Sequence, residues 1–458
     1  MKIPPMVGAS APQASCPPHP DPRPSSLSDR WPLIPEFGPA VLAALLALAA
    51  ASPLRASDWP QWRGPARNGV SHETGLLREW PKEGPKLVWQ IKDTGSGYST
   101  PAVSGERLYL LGNEGMDNEF VQALSAKDGQ RVWRTTLGKV GNPQQQPSFA
   151  AARSTPTVAG DLLYALGSDG DLACLETSTG KVRWQKSLRA DFGGKPGVWA
   201  YSESPLLDGD VLICTPGGAE ATIVALNKKS GEVVWKSAVP GGDDAAYASP
   251  LLIEAGGVKQ YVQVLHKGLV GVAADGGKWL WRYGHTVSRF NANIPTPVVR
   301  DGLIYTAGAG TGGGLVRLKA QDGSVMAEEV YFSPKLPTAI GGAILVGDHM
   351  YGTTAQGMLC IEFATGNVRW EDRAFGAAAL CLADGRLYLH AEGGEVGLVE
   401  PTPEGYREKG RFSPPEQPTR AGPMEKAWVY PVVANGRLYV RDHQKLWCYD
   451  VRQSAAGQ

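Results

Sequence analysis

The stretch that decides the fold reads Cys174-Leu-Glu-Thr-Ser-Thr-Gly180-Lys-Val-Arg-Trp184, and it returns as Ala225-Leu-Asn-Lys-Lys-Ser-Gly231-Glu-Val-Val-Trp235. In both copies a short apolar run is followed by a turn with glycine, and a tryptophan comes four residues after that glycine. Glycine permits the positive φ of a tight hairpin turn, so the flanking runs are predicted to be antiparallel strands. A large ring at one fixed place per sheet is most simply explained by packing between neighbouring sheets.

The same unit recurs along the chain. The tryptophans predicted to pack between sheets, called docking tryptophans, are Trp89, Trp133, Trp184, Trp235, Trp281 and Trp370. In the fifth unit the corresponding place is taken by Ala327. A second turn, earlier in each unit, carries Gly105, Gly160, Gly209, Gly257, Gly302, Gly347, Gly385 and Gly436. These turns follow one another at spacings of 38 to 55 residues, so the sequence predicts eight units of four short strands.

The two ends of the repeat complement each other. The eighth unit ends after Leu446-Trp-Cys-Tyr449, one strand short, whereas Lys86–Ile91 is a spare fourth strand with its own tryptophan. The sequence therefore predicts an all-β fold, an eight-bladed β-propeller of four-stranded antiparallel blades that is closed by this N-terminal strand. A linear β-solenoid is the alternative, but it would not use a strand from the other end of the repeat.

The chain divides into four predicted segments. Residues 1–57 are a Pro-rich leader with a signal peptide or an anchor, 58–85 a lead-in segment, 86–452 the propeller and 453–458 a tail. The uncharged run from Phe37 to Leu54 fits the apolar part of an export signal and is short for a membrane span. We expect an exported protein of the periplasm or cell envelope, and no lipid anchor, since no cysteine directly follows this run.

Charge and motif content exclude several function classes. Lys and Arg total 45 and Asp and Glu total 45, so nothing favours binding to nucleic acid through bulk positive charge. The six cysteines form no C-x-x-C pair and the seven histidines no H-x-H pair, so no metal site is predicted. No nucleophile-elbow motif occurs either, and we therefore name no catalytic residue. Whether the protein is an enzyme stays open, with the balance against it.

The repeat unit resembles the PQQ-like repeat, the tryptophan-docking blade of quinoprotein alcohol dehydrogenases and of the BamB propellers of outer-membrane assembly. The opening Asp58-Trp-Pro-Gln-Trp-Arg-Gly-Pro65 looks like the corresponding segment of exported proteins with PQQ-like repeats. The resemblance implies a binding or scaffold module in cell-envelope protein assembly, with envelope proteins as partners. The alternative that it implies is a PQQ-dependent oxidoreductase, with PQQ and calcium, or a relative that lost the cofactor. The adjacent cysteine pair of such enzymes is absent, so no cofactor is expected.

The residues just before the innermost strands should meet at one mouth of the central channel. In most units these residues are aromatic or polar, a mixture that suits a small-molecule or peptide ligand. The predicted site comprises Arg153, Trp199, Tyr201, Glu203, Tyr247, Asn291, Asn293 and Tyr430. The alternative is that these residues only cap strand ends and that Arg153 pairs with Glu203. We expect the protein to be a monomer.

Overall fold

The structure is a computed structural model that describes residues 58–144, 149–321, 324–420, 422 and 424–453. Eight separate sheets dominate this part of the chain, so the predicted eight-bladed, all-β propeller is confirmed. We number the sheets as blades 1 to 8 in chain order and letter the strands of each blade a to d from the axis outward. The predicted leader, 1–57, and all of the predicted tail after residue 453 lie outside the described residues.

The strand bounds follow the four-strand unit in every blade. In blades 1 to 4 they are Ala102–Ser104, Arg107–Glu114, Asn118–Ser125 and Arg131–Gly138; Thr157–Ala159, Leu162–Leu166, Asp171–Glu176 and Val182–Ser187; Leu206–Asp208, Val211–Cys214, Ile223–Asn227 and Val233–Ser237; and Leu251–Ala255, Val258–Leu265, Gly268–Ala273 and Trp279–Tyr283. In blades 5 to 8 they are Val298–Arg300, Leu303–Gly308, Gly312–Gln321 and Ser324–Ser333; Ala343–Val346, His349–Thr353, Met358–Glu362 and Val368–Asp372; Ala378–Ala383, Arg386–Ala391, Val396–Val399 and Glu408–Phe412; and Val432–Ala434, Arg437–Asp442, Lys445–Asp450 and Lys86–Ile91.

Two further short elements complete the described secondary structure. Strand Val70–Ser71 pairs in parallel with strand a of blade 7, and helix Leu188–Phe192 lies in the connection from blade 2 to blade 3. Within the described ranges, no helix is long and apolar enough to cross a membrane.

Strand Lys86–Ile91 closes the ring as predicted. It pairs antiparallel with strand Lys445–Asp450, from Lys86 opposite Asp450 to Ile91 opposite Leu446. The first and last parts of the propeller therefore share one sheet, and the pairing covers sheet edges that would otherwise be open to other chains.

The turns between strands a and b carry the predicted glycines. All eight have a positive φ, between 55° at Gly105 and 74° at Gly302. In blade 8, Asn435 and Gly436 both have positive φ, 57° and 66°, as a type I′ hairpin turn requires. The positive φ of these turns therefore explains why glycine stands at each of these positions.

The docking tryptophans lie where one blade meets the next. The Trp184 ring packs on Gly231 of blade 3, so closely that a Cβ atom there would lie 2.8 Å from the indole. Its indole N–H donates to the Lys228 carbonyl at 3.0 Å. The same bond to a carbonyl of the following blade is made by Trp89, Trp133 and Trp370. Each such ring thus joins neighbouring sheets by both packing and a hydrogen bond.

Blades 4 and 5 show two different departures from this pattern. In blade 5 the docking place is not taken by Ala327, as the sequence suggested, but by Tyr331, whose ring packs on Gly366 and whose hydroxyl donates to the Phe363 carbonyl at 2.9 Å. In blade 4 the Trp281 N–H donates to Gln260 of the same blade at 2.7 Å. Trp281 is buried, but this bond does not reach the next sheet.

The lead-in segment fills the axis of the ring. Its residues 58–71, called the axial segment, hydrogen-bond to strand a, or to the residues leading directly into strand a, in all eight blades. The partners from blade 1 to blade 8 are Val103, Val158, Pro205, Pro250, Thr296, Ala343, Leu382 and Val433. One continuous piece of chain therefore ties the inner strands of every blade together.

Two buried arginines hold the axial segment in place. The Arg67 guanidinium donates to the carbonyls of Ser204, at 3.1 Å, and Pro250, at 2.8 Å. Arg63 donates to the Ala343 carbonyl at 2.8 Å. Burial lowers the pKa of Arg67 to about 9, so this guanidinium is still protonated at neutral pH. Both guanidinium groups donate to backbone oxygens, although the Nε and Nη1 atoms of Arg63 have no hydrogen-bond partner among the described residues.

Candidate functional site: an aromatic cavity at the channel mouth

The connections that lead into the inner strands enclose a cavity of about 210 Å³. Blades 1 to 6, blade 8 and the axial segment all contribute to it. The lining residues are Trp62, Tyr98, Phe149, Arg153, Trp199, Ser202, Tyr247, Ala292, Ile294, Ile340, Trp428 and Tyr430. Seven of these twelve side chains are aromatic, and Arg153 is the charged one among them.

The structure brings together four of the eight residues predicted for the mouth. Arg153, Trp199, Tyr247 and Tyr430 all line the cavity. They come from blades 2, 3, 4 and 8, so residues far apart in sequence meet at one place. The other four predicted residues lie outside the lining of the cavity.

Tyr201 and Glu203 point away from the cavity. The Tyr201 hydroxyl donates to the Pro216 carbonyl at 2.8 Å, and the ring is buried between blades 2 and 3. The Glu203 carboxylate accepts from the Thr215 amide at 2.6 Å and from the Gln263 amide side chain at 2.9 Å. Burial raises the pKa of Glu203 to about 7. Arg153 is not among the described ion-pair partners of Glu203, so the pairing considered from the sequence does not form.

Asn291 and Asn293 shape the loop that enters blade 5. Asn291 is exposed in a turn with a φ of 54°. Asn293 is buried, where its amide nitrogen donates to the carbonyls of Leu265, at 2.8 Å, and His266, at 3.0 Å. Its side-chain oxygen accepts from the Ser288 amide at 2.7 Å. Asn293 therefore fastens the loop to blade 4 and does not face the cavity.

The aromatic walls form two groups of rings. On one side Trp428 contacts Tyr98 and Phe149, with ring centroids 5.2 Å and 4.9 Å apart. On the other side Trp199 and Tyr247 lie 5.9 Å apart, and the Trp199 amide donates to the Tyr247 hydroxyl at 3.1 Å. Tilted and edge-to-face contacts of this kind hold aromatic side chains in place without a ligand.

The axial segment closes the inner end of the cavity with Trp62. Its ring lies 4.6 Å from that of Tyr430, and its indole N–H donates to the Thr296 hydroxyl at 3.0 Å. The Tyr430 hydroxyl donates to the Ile340 carbonyl at 2.7 Å. The floor is therefore fixed to blades 5, 6 and 8 at once.

The Arg153 guanidinium has few hydrogen-bond partners for a cation among aromatic side chains. Its guanidinium lies 5.2 Å from the centre of the Tyr98 ring and donates to the Phe149 carbonyl. Its Nε has no partner, and no carboxylate of the described residues pairs with it. Burial lowers the pKa of Arg153, an effect that the nearby hydroxyls of Tyr98 and Tyr247 and the more distant Glu119 only partly offset. The cavity thus contains a partly buried positive charge with unused donors.

Several lining residues were not predicted from the sequence, among them Trp62, Phe149 and Trp428. Trp428 stands two residues before Tyr430, and residues two apart in an extended segment face the same side. The sequence therefore did contain a signal that Trp428 lines the cavity. Trp62 belongs to the lead-in segment, which the repeat pattern placed outside the ring. Phe149 lies in a loop without periodicity, where the sequence offered no signal.

The cavity residues do not fit a PQQ and calcium pair. Calcium takes oxygen ligands, mostly carboxylates and amides, and no Asp, Glu, Asn or Gln lines the cavity. The cysteines of the described chain are free, buried and outside the lining. In the described ranges, no group of three His, Cys, Asp or Glu residues is placed to hold a metal ion.

Sequence comparison identifies a family for most of the chain. A family model described as outer membrane protein assembly factor BamB matches residues 67–216 and 201–402. The assembly factor BamB of Burkholderia pseudomallei is 27% identical over 252 residues, which are 53% of this chain and 59% of that protein. The BamB of Yersinia pestis is 23% identical over 249 residues, 56% of its length. The chain thus spans less than two thirds of these relatives. The quinoprotein alcohol dehydrogenase PedH of Pseudomonas putida is 27% identical over 176 residues, only 25% of its length.

Comparison of structures supports the same fold. The crystal structure of BamB from Moraxella catarrhalis superposes with a TM-score of 0.56 and 16% identity, covering 80% of this chain and 98% of that one. At this identity the likeness concerns the propeller fold alone.

Proposed function

The chain belongs to the family whose model is described as outer membrane protein assembly factor BamB, and on that premise we propose that it is an exported binding scaffold for the assembly of outer-membrane proteins. The observation that carries the proposal is the match to that model, which runs from residue 67 to residue 402. The proposed place of action is the periplasm or cell envelope, and the proposed partners are envelope proteins that take part in assembly. The uncharged leader run supports export.

The proposed binding surface is the channel mouth with its aromatic cavity. Convergent aromatic side chains with few polar groups are the usual composition of a binding site. The described lining has no His, Cys, Asp, Glu or Lys, and Ser202 has no base beside it that could activate its hydroxyl. Such a lining favours binding over acid–base or nucleophilic catalysis.

A crosslinking experiment in the native host tests this role. A photoreactive amino acid at Phe290, which is 64% exposed in the connection from blade 4 to blade 5, would sample the mouth face. The matched control position is Val132, 46% exposed on strand d of blade 1. We expect components of the outer-membrane assembly machinery to crosslink from position 290 and not from 132. We also expect deletion of the gene to lower the levels of outer-membrane proteins.

Two results would contradict the proposal. One is the capture of no assembly component from either position, with unchanged outer-membrane protein levels in the deletion strain. The other is a bound quinone chromophore, seen by absorbance and mass spectrometry, in protein purified from its native compartment. The second result would favour the quinoprotein alternative.

A further inference from the structure

We propose that the mouth cavity binds an aromatic or branched aliphatic group that carries a carboxylate, with Arg153 as the partner of the carboxylate. The inference rests on the proposed binding role of the mouth and names the chemical class of its ligand. Two sources share this chemistry, namely the free carboxyl end of a polypeptide and a small organic acid.

The first argument is the charge of Arg153. Within the described residues its guanidinium makes a single hydrogen bond, to the Phe149 carbonyl, and no ion pair. Arginine offers five N–H donors in a planar fork that matches the two oxygens of a carboxylate. Arg153 is partly buried, and partial removal of a cation from water without a counter-ion has a cost that a bound anion would lower.

Two buried arginines of this chain, Arg441 and Arg67, show what a satisfied guanidinium looks like here. Arg441 donates to the carbonyls of Ser99, Leu111 and Gly95 and of His443, at 2.7 to 3.1 Å. Arg67 is likewise surrounded by backbone carbonyls. Arg153 differs from both, because its remaining donors have no partner in the described chain.

The second argument is the composition of the walls. Besides Arg153, the polar groups include the Ser202 hydroxyl and the Trp199 indole N–H, and neither has a partner. An indole N–H and a hydroxyl can both donate to an anionic oxygen. The rest of the lining is aromatic or, at Ile294 and Ile340, aliphatic. The polar groups thus suit an acceptor, and the walls suit an apolar body attached to it.

Size and charge narrow the ligand class. At about 210 Å³ the cavity is smaller than the roughly 300–1,000 Å³ of sites for drug-sized ligands, so it fits a small acid or one terminal residue. A phosphate or nucleotide would bring two or more negative charges to a single arginine. A cationic ligand would suit the aromatic rings but would be repelled by Arg153.

Calorimetry with matched probes tests the proposal. The probes are 3-phenylpropionate, its amide, the dipeptide N-acetyl-Ala-Phe with a free carboxyl end, and the same dipeptide amidated. We expect at least one acid to bind ten-fold or more tightly than its amide. Acid and amide have nearly the same shape, so this comparison needs no variant and is unaffected by folding defects.

Variants then locate the charge. Arg153→Gln should weaken binding of the acid at least ten-fold and leave the amide unchanged, and Arg153→Lys should restore part of the loss. Arg300→Gln is the matched control, since Arg300 lies 5.0 Å from the Phe363 ring but outside the cavity. It should leave binding unaltered.

The outcomes distinguish the ligand sources and the two proposals. Tighter binding of the dipeptide acid than of 3-phenylpropionate indicates a polypeptide end, and the reverse indicates a small organic acid. Equal binding of acids and amides, or binding that Arg153→Gln does not change, overturns the inference, as does the absence of binding by all four probes. If crosslinking from position 290 still captures assembly proteins in that case, the proposed scaffold role stands without this ligand.

Discussion

At the scale of single residues, the backbone conformation of Ala200 decides where two neighbouring aromatic rings point. Few residues other than glycine adopt a positive φ. Trp199 and Tyr201 are both predicted to line the channel mouth, and alternate residues of a regular extended segment would indeed face the same side. Ala200 between them has a φ of 72°, which breaks the alternation, so Trp199 faces the cavity and Tyr201 the core. An alanine gives no sequence signal for that turn.

The buried carboxyl group of Glu119 should make stability depend on pH. Burial raises the pKa of Glu119 to about 7, although the Ser168 amide and hydroxyl donate to its oxygens. Because the folded-state pKa is above the unfolded one, the stabilising contribution of this carboxyl group is fully present below about pH 4.5 and is lost as the pH rises through 7. Glu119→Gln removes this titration, so the variant should gain up to about 3 kcal/mol over the natural protein at pH 8.

Urea unfolding of both proteins at pH 4.5, 6, 7 and 8 measures this difference. The remaining titratable groups are the same in both proteins, so their contributions cancel in the comparison. A difference in unfolding free energy that stays constant from pH 4.5 to 8 would show that Glu119 is already ionised when buried.

At the scale of the element, docking between blades depends on a ring and on the glycine beneath it. The hairpin spacing predicted most of these rings, because the turn and the ring lie on one short hairpin. The docking ring of blade 5 was not predicted, because strands c and d of this blade are longer than the repeat suggests. They are Gly312–Gln321 and Ser324–Ser333, ten residues each. The longer hairpin moves the docking place away from Ala327 to Tyr331, whose hydroxyl replaces an indole N–H as donor.

The glycine under a docking ring should be far less replaceable than a glycine in an open turn. Gly231→Ala adds a Cβ 2.8 Å from the Trp184 ring at a φ of 72°. Gly209→Ala, in the same blade, has a φ of 57° but nothing within 4 Å of the added atom. Both should lose roughly 1–2 kcal/mol to backbone strain, and Gly231→Ala a further 1–3 kcal/mol to overpacking.

Chemical denaturation of the two variants separates these contributions, with Gly209→Ala as the measure of strain alone. Equal losses in both variants would mean that the contact between Trp184 and Gly231 contributes nothing to the stability of the ring.

At the scale of the whole molecule, two N-terminal pieces hold the ring together by different means. Closure was predictable, because an unfilled fourth strand at one end matched a spare strand at the other. The position of the axial segment was not predictable. Most of its hydrogen bonds go to backbone groups of the inner strands, and every residue type has such groups. The position of the axial segment explains why Trp62, far from the repeats in sequence, forms the floor of the cavity.

Two internal deletions distinguish the role of the axial segment from that of the closing strand. Removing 58–85 leaves the closing strand Lys86–Ile91 in place, so we expect a monomer that unfolds at a lower temperature and no longer binds ligand at the mouth. Removing 58–91 also opens blade 8, and its unpaired edge should cause oligomers or aggregates. Size-exclusion chromatography with thermal unfolding reports both. A monomer with unchanged unfolding temperature after either deletion would contradict the corresponding role.

The axial segment also sets the order in which the chain can fold. Ser71 is made early, yet its hydroxyl bonds to Val433, which lies 362 residues later in the chain. At about 5–20 residues per second, synthesis of that interval takes roughly 20–70 s. Such distant contacts slow folding, because a large loop must close before they form. For that time the axial segment and blades 1 to 7 lack blade 8, so the ring stays open until the last blade has been made.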